Sequence, residues 1–224
     1  MLRRVVVQTV VWFAFQAVIL LGAAGDWTWP QGWTYLGEVL VLSLATTIGL
    51  MLNDRQLLEA RMSSPFKRNQ RPADLLIIAV FAVVYVGWFV LIGLDHRFFW
   101  TGTPLLVQIL GAALIGLGMM LVWETFRANT FATTQVRVQA ERAQTVIDSG
   151  PYRYIRHPMY AGMVLFVIGT PLMLGSLWGL AATLVLFVLL GLRTLGEEKV
   201  LKTDLAGYAD YMTKTPWRIV PGVW

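Results

Sequence analysis

Long uncharged stretches, separated by short clusters of charge, set the pattern of the chain. Val5 to Ala24 carries no formal charge over twenty residues. At a rise of about 1.5 Å per residue, a helix of that length crosses the ~30 Å hydrocarbon core of a bilayer. Arg3 and Arg4 before it and Gly22-Ala23-Ala24 after it imitate a signal peptide. Its apolar part is longer than the usual ~7–15 residues, which predicts an uncleaved first span. Between Asp26 and Asp54 the only charge is Glu38, and Trp33 to Leu52 reads as a second span announced by Trp27, Trp29 and Trp33 at interfacial depth. Leu75 to Leu94 is the third span. Pro104 to Trp123 is the fourth, with Glu124 to Arg127 reaching the headgroups. His157 to Leu192 is uncharged over thirty-six residues. As one helix it would run about 54 Å and overshoot the bilayer. Pro171 and Gly175-Ser176 supply a break near its middle, which predicts a tight hairpin of two short helices, about Tyr160 to Leu174 and Leu177 to Leu192. The fold class is therefore all-α: a polytopic membrane protein of about six membrane segments.

Composition agrees and narrows the class. Of the 224 residues, 57% are hydrophobic and 14% charged, where a soluble domain carries about 25% charged. Mean hydropathy is +0.62, and a soluble enzyme is excluded. The absence of cysteine removes disulfides, thiolate metal sites and Cys nucleophiles, and two histidines, His96 and His157, make no His-rich metal site. The net charge of +5 raises the question of nucleic acid, but its placement answers it. Seventeen of the eighteen Lys and Arg, including Lys67, Arg68 and Arg71 of the second loop, fall on one side of the proposed spans, with Arg97 alone opposite. By the positive-inside rule both termini are expected in the cytoplasm, here of a bacterial-type inner membrane. The charge is then accounted for by topology and anionic lipid headgroups, with no need for nucleic acid as a partner.

Candidate chemistry belongs where cytoplasmic polar residues meet the hairpin, since irregular backbone and charge are tolerated at membrane depth only along a cavity. Two segments qualify. The first, Gln139 to Gly162, turns through Gly150-Pro151 and starts a helix at Pro158, an apt first-turn proline. His157 stands beside the exposed N–H groups of that helix start, suited to a polar or anionic ligand group. In the other account of these residues, Arg153 and Arg156 reach for lipid phosphates, His157 only caps, and Tyr152, Tyr154 and Tyr160 form an aromatic belt. In the second segment, Arg193 and Glu197 lie one helical turn apart, either as a simple i,i+4 pair or as part of a site in which Glu197 and Glu198 hold a cofactor. Glu124 and Arg127 line the same pocket or pair at a helix end. Glu38 reads as a snorkelling residue, His96 as a solvated loop residue, and Gly111, Gly116 and Gly118 as close-packing positions.

The run Gly150-Pro-Tyr-Arg-Tyr-Ile-Arg-His-Pro-Met-Tyr-Ala-Gly162, followed by a hairpin and then Arg193, Glu197 and Glu198, resembles the isoprenylcysteine carboxyl methyltransferase family and the related phospholipid methyltransferases. The resemblance runs from about Asn129 through Tyr208 and Tyr211 to Pro221. It divides the single integral membrane domain, 1–224, into a four-span bundle, 1–128, and a methyltransferase core with hairpin and cytoplasmic tail, 129–224. It implies methyl transfer from S-adenosyl-L-methionine, held in a cytoplasmic pocket, to a lipophilic acceptor that enters from the bilayer. The implied cofactor contacts are Gln139, Gln144, Thr145, Val146, Ile147, Tyr152, His157, Pro158, Met159, Tyr160 and Glu197. Arg193 would face the substrate, and Arg193 and His157 would act in catalysis. Isoprenylcysteine-type members often carry His where Gln144 stands.

Methyl transfer from a sulfonium needs orientation and desolvation more than an acid or base. A carboxylate acceptor is already ionised, and Arg193 can aim it. An amine acceptor, as in a phospholipid N-methyltransferase, must lose a proton to His157 or Glu198. Two further classes stay open. Sterol-type NADPH reductases also carry an Arg-His-Pro-x-Tyr turn, though with Asn at the place of Met159 and Asp at that of Met163. A non-catalytic scaffold would use these residues as interface anchors only.

Overall fold

The computed structural model describes residues 2–63, 72–133 and 137–224; Lys67, Arg68 and Arg71 lie outside them. Every regular element among the described residues is helical: α1 (Leu2–Ala24), α2 (Pro30–Asn53), α3 (Arg55–Met62), α4 (Pro72–Phe98), α5 (Leu105–Ala128), α6 (Pro158–Leu174), α7 (Leu177–Asp204) and α8 (Tyr208–Lys214), with short 3-10 turns at Ala140–Arg142 and Gly150–Arg153. α1, α2, Leu75–Phe98 of α4, α5 and α7 are long and apolar enough to cross a membrane, and α6 is a shorter apolar helix. The protein is thus a polytopic membrane protein with five full-length spans and one short segment. Two details differ from the hydropathy pattern. α7 is not short: it continues past Leu192 to Asp204, because Arg193, Glu197 and Glu198 find partners that let the helix carry charge. α3 is an additional element, capped by Asp54, whose carboxylate accepts from the Leu57 amide at 2.9 Å, and anchored by the buried Leu57 and Leu58.

The chain forms two compact units. The first comprises Met1–Ala45, Phe81–Leu117 and Leu165–Leu186. Leu20, Leu21, Tyr35, Phe89, Ile92 and Ile115 make its buried core. The hairpin turns here at Gly175, between the expected helix ends at Leu174 and Leu177, while Pro171 sits inside the last turn of α6. Gly175 adopts φ +79°, open to glycine without strain, and the Ser176 amide donates to the Pro171 carbonyl at 2.8 Å. Ser176 then caps α7 by accepting from the Gly179 amide, while its hydroxyl donates to the fully buried Asp95. Asp95 also accepts from the Thr101 amide and hydroxyl, at 2.9 and 2.7 Å. His96 is not a solvated loop residue. It ends α4 with its ring stacked 4.1 Å from Trp29 and its Nε2 3.3 Å from Asp26.

Within this unit α5 and α6 approach by backbone contact. A Cβ added at Gly169 would stand 2.5 Å from the Gly111 carbonyl oxygen and 3.0 Å from the Ile115 amide nitrogen. Neither neighbour is a flexible side chain that can give way. Gly169→Leu is therefore expected to force the helices apart, at a cost above the ~1–3 kcal/mol of ordinary overpacking, read as a lower unfolding midpoint in detergent. Gly22→Leu, where no atom lies within 4 Å of an added Cβ, is the matched control.

The second unit comprises Thr46–Val80, Gly118–Val164 and Phe187–Trp224. Its tail is laid back along the start of α6: the Arg156 and His157 amides donate to the Trp217 and Arg218 carbonyls at 2.9 and 2.8 Å. Tyr160, Leu190 and Ile219 form one buried cluster, with Trp224 packed against it, and Leu205, Tyr208 and Tyr211 form another.

Candidate functional site

α7 places Arg193, Glu197 and Leu201 at four-residue spacing, hence on one face, with Leu205 continuing the row. Glu197, Leu201 and Leu205 form one wall of a cleft within the second unit, whereas Arg193 does not line it and touches it through the Tyr160 hydroxyl. Gln144, Thr145, Val146, Ile147, Tyr152, His157, Met159, Tyr160 and Glu197 all line it, so nine of the eleven expected cofactor contacts come together. Gln139 and Pro158 do not line it. Gln139 is buried and acts as a staple, donating through Nε2 to the Phe131 carbonyl and accepting from Arg142, both at 2.8 Å. The Gln144 carbonyl oxygen Oε1 accepts from the Gln139 amide at 2.7 Å. Residues without an expected role complete the lining: Asn129, Phe131, Ala132, Thr133, Arg137 and Arg156, besides the two tyrosines of α8, Tyr208 and Tyr211.

Two adjacent glutamates have different surroundings. Glu197 is partly exposed at the cleft, and its Oε2 accepts from the Tyr160 hydroxyl at 2.6 Å. The same hydroxyl accepts from Arg193 Nε at 3.1 Å, so Tyr160 bridges the two α7 side chains. Glu198 is 6% exposed and faces away into a cluster of donors. Arg156 Nε donates to it at 2.7 Å, Arg218 Nε at 2.9 Å, and His157 Nε2 lies 3.3 Å away. Arg156 also donates to the Thr215 and Pro216 carbonyls, both at 2.7 Å. Arg156 is therefore a buried clamp and not a residue that reaches lipid phosphates, whereas Arg153 is exposed. The His157 carbonyl accepts from the Tyr160 and Ala161 amides, and its ring stacks on that of Tyr160 with centroids 5.5 Å apart. Glu124 and Arg127 pair at 2.9 Å at the end of α5, outside the cleft lining.

The tyrosines are held neutral. Burial pushes the Tyr211 hydroxyl up to about 12 and those of Tyr152 and Tyr208 higher still. Tyr211 donates to the Tyr152 carbonyl at 2.7 Å, and Asn129 Nδ2 donates to the Tyr152 hydroxyl at 2.8 Å. The Tyr208 hydroxyl is buried with no hydrogen-bond partner among the described residues. A donor so placed on a cleft wall is costly unless a ligand satisfies it. Tyr208 and Tyr211, three apart on α8, were legible only as part of the family pattern; their joint burial needed the fold. Among the described residues no group of three or more His, Asp or Glu side chains is placed to hold a metal.

An all-helical polytopic membrane protein with a polar, tyrosine-rich cleft on its hairpin is the class so defined. Residues 106–205 match the phospholipid methyltransferase family model. Two proteins of rice, Oryza sativa subsp. indica and subsp. japonica, each named "Probable protein-S-isoprenylcysteine O-methyltransferase", are 32% identical over 108 residues, 45% of this chain and 56% of theirs. The cobalt-zinc-cadmium resistance protein CzcN of Cupriavidus metallidurans is 27% identical over 120 residues, 52% of this chain and 51% of that protein. The chain spans about half the length of the curated relatives it matches. Through the stretch 106–205 it is similar to the phospholipid methyltransferase family and to these isoprenylcysteine O-methyltransferases.

Proposed function

We propose that this protein transfers a methyl group from S-adenosyl-L-methionine to the carboxylate of a lipophilic acceptor drawn from the bilayer, of isoprenylcysteine type or similar. The observation that carries the proposal is the cleft in which Tyr152, Tyr160 and Glu197 stand together while the Tyr160 hydroxyl links Glu197 to Arg193. The lining fits such a cofactor: aromatic faces suit an adenine ring and a sulfonium, Glu197 accepts from amino or hydroxyl groups, and the buried Tyr208 hydroxyl lacks a partner among the described residues. The rice proteins named as O-methyltransferases support a carboxylate acceptor.

When bound, the cofactor would supply an electrophilic methyl on sulfur; the protein need supply no nucleophile. Tyr152 and Tyr160 present ring faces to the cation and exclude water. Glu197 orients the bound molecule, and Arg193, positioned by the Tyr160 hydroxyl, aims and neutralises an acceptor carboxylate. A phospholipid amine is the second acceptor class, favoured by the description of the matching family. It would have to give up a proton, and Glu198 is already committed to Arg156, Arg218 and His157, which leaves His157 as the base to consider. In this proposal residues 129–224 are the methyltransferase core, 1–128 a four-span part, and the cleft and both termini face the cytoplasm of a bacterial-type inner membrane.

Calorimetry on the detergent-purified protein with S-adenosylhomocysteine and, separately, NADPH tests it. Binding of the first alone, with a Kd in the micromolar range or about −8 kcal/mol, is the expected result. Binding of NADPH alone would install the sterol-type reductase instead, and binding of neither would leave a scaffold.

A further inference from the structure

Arg61 belongs to α3, outside the matched stretch 106–205, and nothing in the family pattern gives it a role. Arg61 is not itself among the lining residues, but its guanidinium contacts two that are. The guanidinium carbon stands 4.2 Å over the centre of the Phe126 ring, and Nη1 donates to the Ala132 carbonyl at 2.7 Å and approaches the Met159 sulfur at 3.7 Å. Ala132 and Met159 both line the cleft. Burial pushes Arg61 down to about 10, and the cleft tyrosines Tyr152 and Tyr160 are the next influences on it. At neutral pH the side chain therefore still carries its charge.

Among the described residues, no carboxylate lies within ion-pair distance of Arg61, and Nε and Nη2 make no hydrogen bond. A half-enclosed cation on an aromatic face, with a forked pair of donors unspent, is the arrangement that receives a carboxylate through two parallel hydrogen bonds. Of the other arginines nearby, Arg156 and Arg218 hold Glu198, Arg142 holds Gln139 and Thr130, Arg137 pairs with Glu141, and Arg193 donates to the Tyr160 hydroxyl.

We infer that Arg61 is an anion-binding residue of the cleft, which receives a carboxylate of a bound ligand. The inference rests on the functional proposal above, and that proposal supplies two carboxylates: the amino-acid tail of the cofactor and the acceptor itself. Arg61 is thus the contribution of the N-terminal half to a site otherwise built from residues 129–211.

Calorimetry on the full chain in detergent, comparing wild type, Arg61→Gln and Arg61→Lys, separates the sources. The probes are S-adenosylhomocysteine, 5′-methylthioadenosine, which lacks the amino-acid tail, a prenylcysteine with a free carboxylate, and its methyl ester. If the tail is the partner, Arg61→Gln weakens S-adenosylhomocysteine about tenfold or more and leaves methylthioadenosine unchanged, with Arg61→Lys between. If the acceptor is the partner, both adenosyl probes are unchanged, and the free prenylcysteine loses about tenfold while its ester does not. Equal weakening of all probes together with a lower unfolding midpoint would reduce Arg61 to a strut for the Ala132 backbone and overturn the inference. Unchanged affinities throughout would overturn it as well, with the functional proposal left standing. A wild type that binds none of the probes would remove that proposal, and this inference with it.

Discussion

Glu198→Ala is expected to lower the stability of the protein by ~3–5 kcal/mol, the penalty of leaving a buried charge without its counterion. The carboxylate is the shared acceptor for Arg156, Arg218 and, at 3.3 Å, His157. Glu198 on α7 thereby ties together the turn before α6, which carries Arg156 and His157, and the tail, which carries Arg218. Alanine would leave the guanidinium of Arg156, 5% exposed, with two backbone carbonyls and no anion. At ~2–4 °C per kcal/mol for a chain of this size, the unfolding midpoint should fall by on the order of 10 °C. Glu198→Gln keeps one acceptor and should fall less. A midpoint unchanged in the alanine variant would mean that the clamp contributes nothing to the fold.

Glu197→Ala, one residue earlier, should do the reverse: little change in the midpoint and a loss of S-adenosylhomocysteine affinity of about 10–100-fold, the range for one or two charge-assisted hydrogen bonds at ~1.5–3 kcal/mol. Glu197 is partly exposed, and the hydroxyl it accepts from, that of Tyr160, keeps Arg193 as a partner. Tyr160→Phe is the companion variant, since it keeps the ring in the cleft and removes only the bridge. Its expected signature is a higher KM for the acceptor with cofactor affinity reduced less than in Glu197→Ala. Full cofactor affinity in Glu197→Ala would move the binding site away from this wall of the cleft.

Much of the fold was legible because hydrocarbon imposes a coarse rule. Charge-free length marked the spans, and the overlong stretch from His157 had to turn. What the rule does not see are the short amphipathic helices. α3 and α8 are anchored by a few buried residues, Leu57 and Leu58 in one and Tyr208 and Tyr211 in the other, and their sequences are otherwise polar. The family pattern pointed to Tyr152, Tyr160 and Glu197, which the fold brings together in one cleft. Gln139 fell outside the lining because its amide is consumed by Phe131 and Arg142, a competition between neighbours that no spacing announces. Arg61 could not be found from the chain order, since it meets Ala132 and Met159 across 71 and 98 residues of sequence.

Successive residues on a helix point about 100° apart, so a carboxylate fixed at one position sets the azimuth of the next. The clamp on Glu198 is therefore an indexing pin for α7. While its three donors hold it, the helix cannot roll about its axis, and Glu197 and Leu201 stay aimed into the cleft whether or not anything is bound. A ligand gripping Glu197 meets a wall already set and spends no binding energy on turning it.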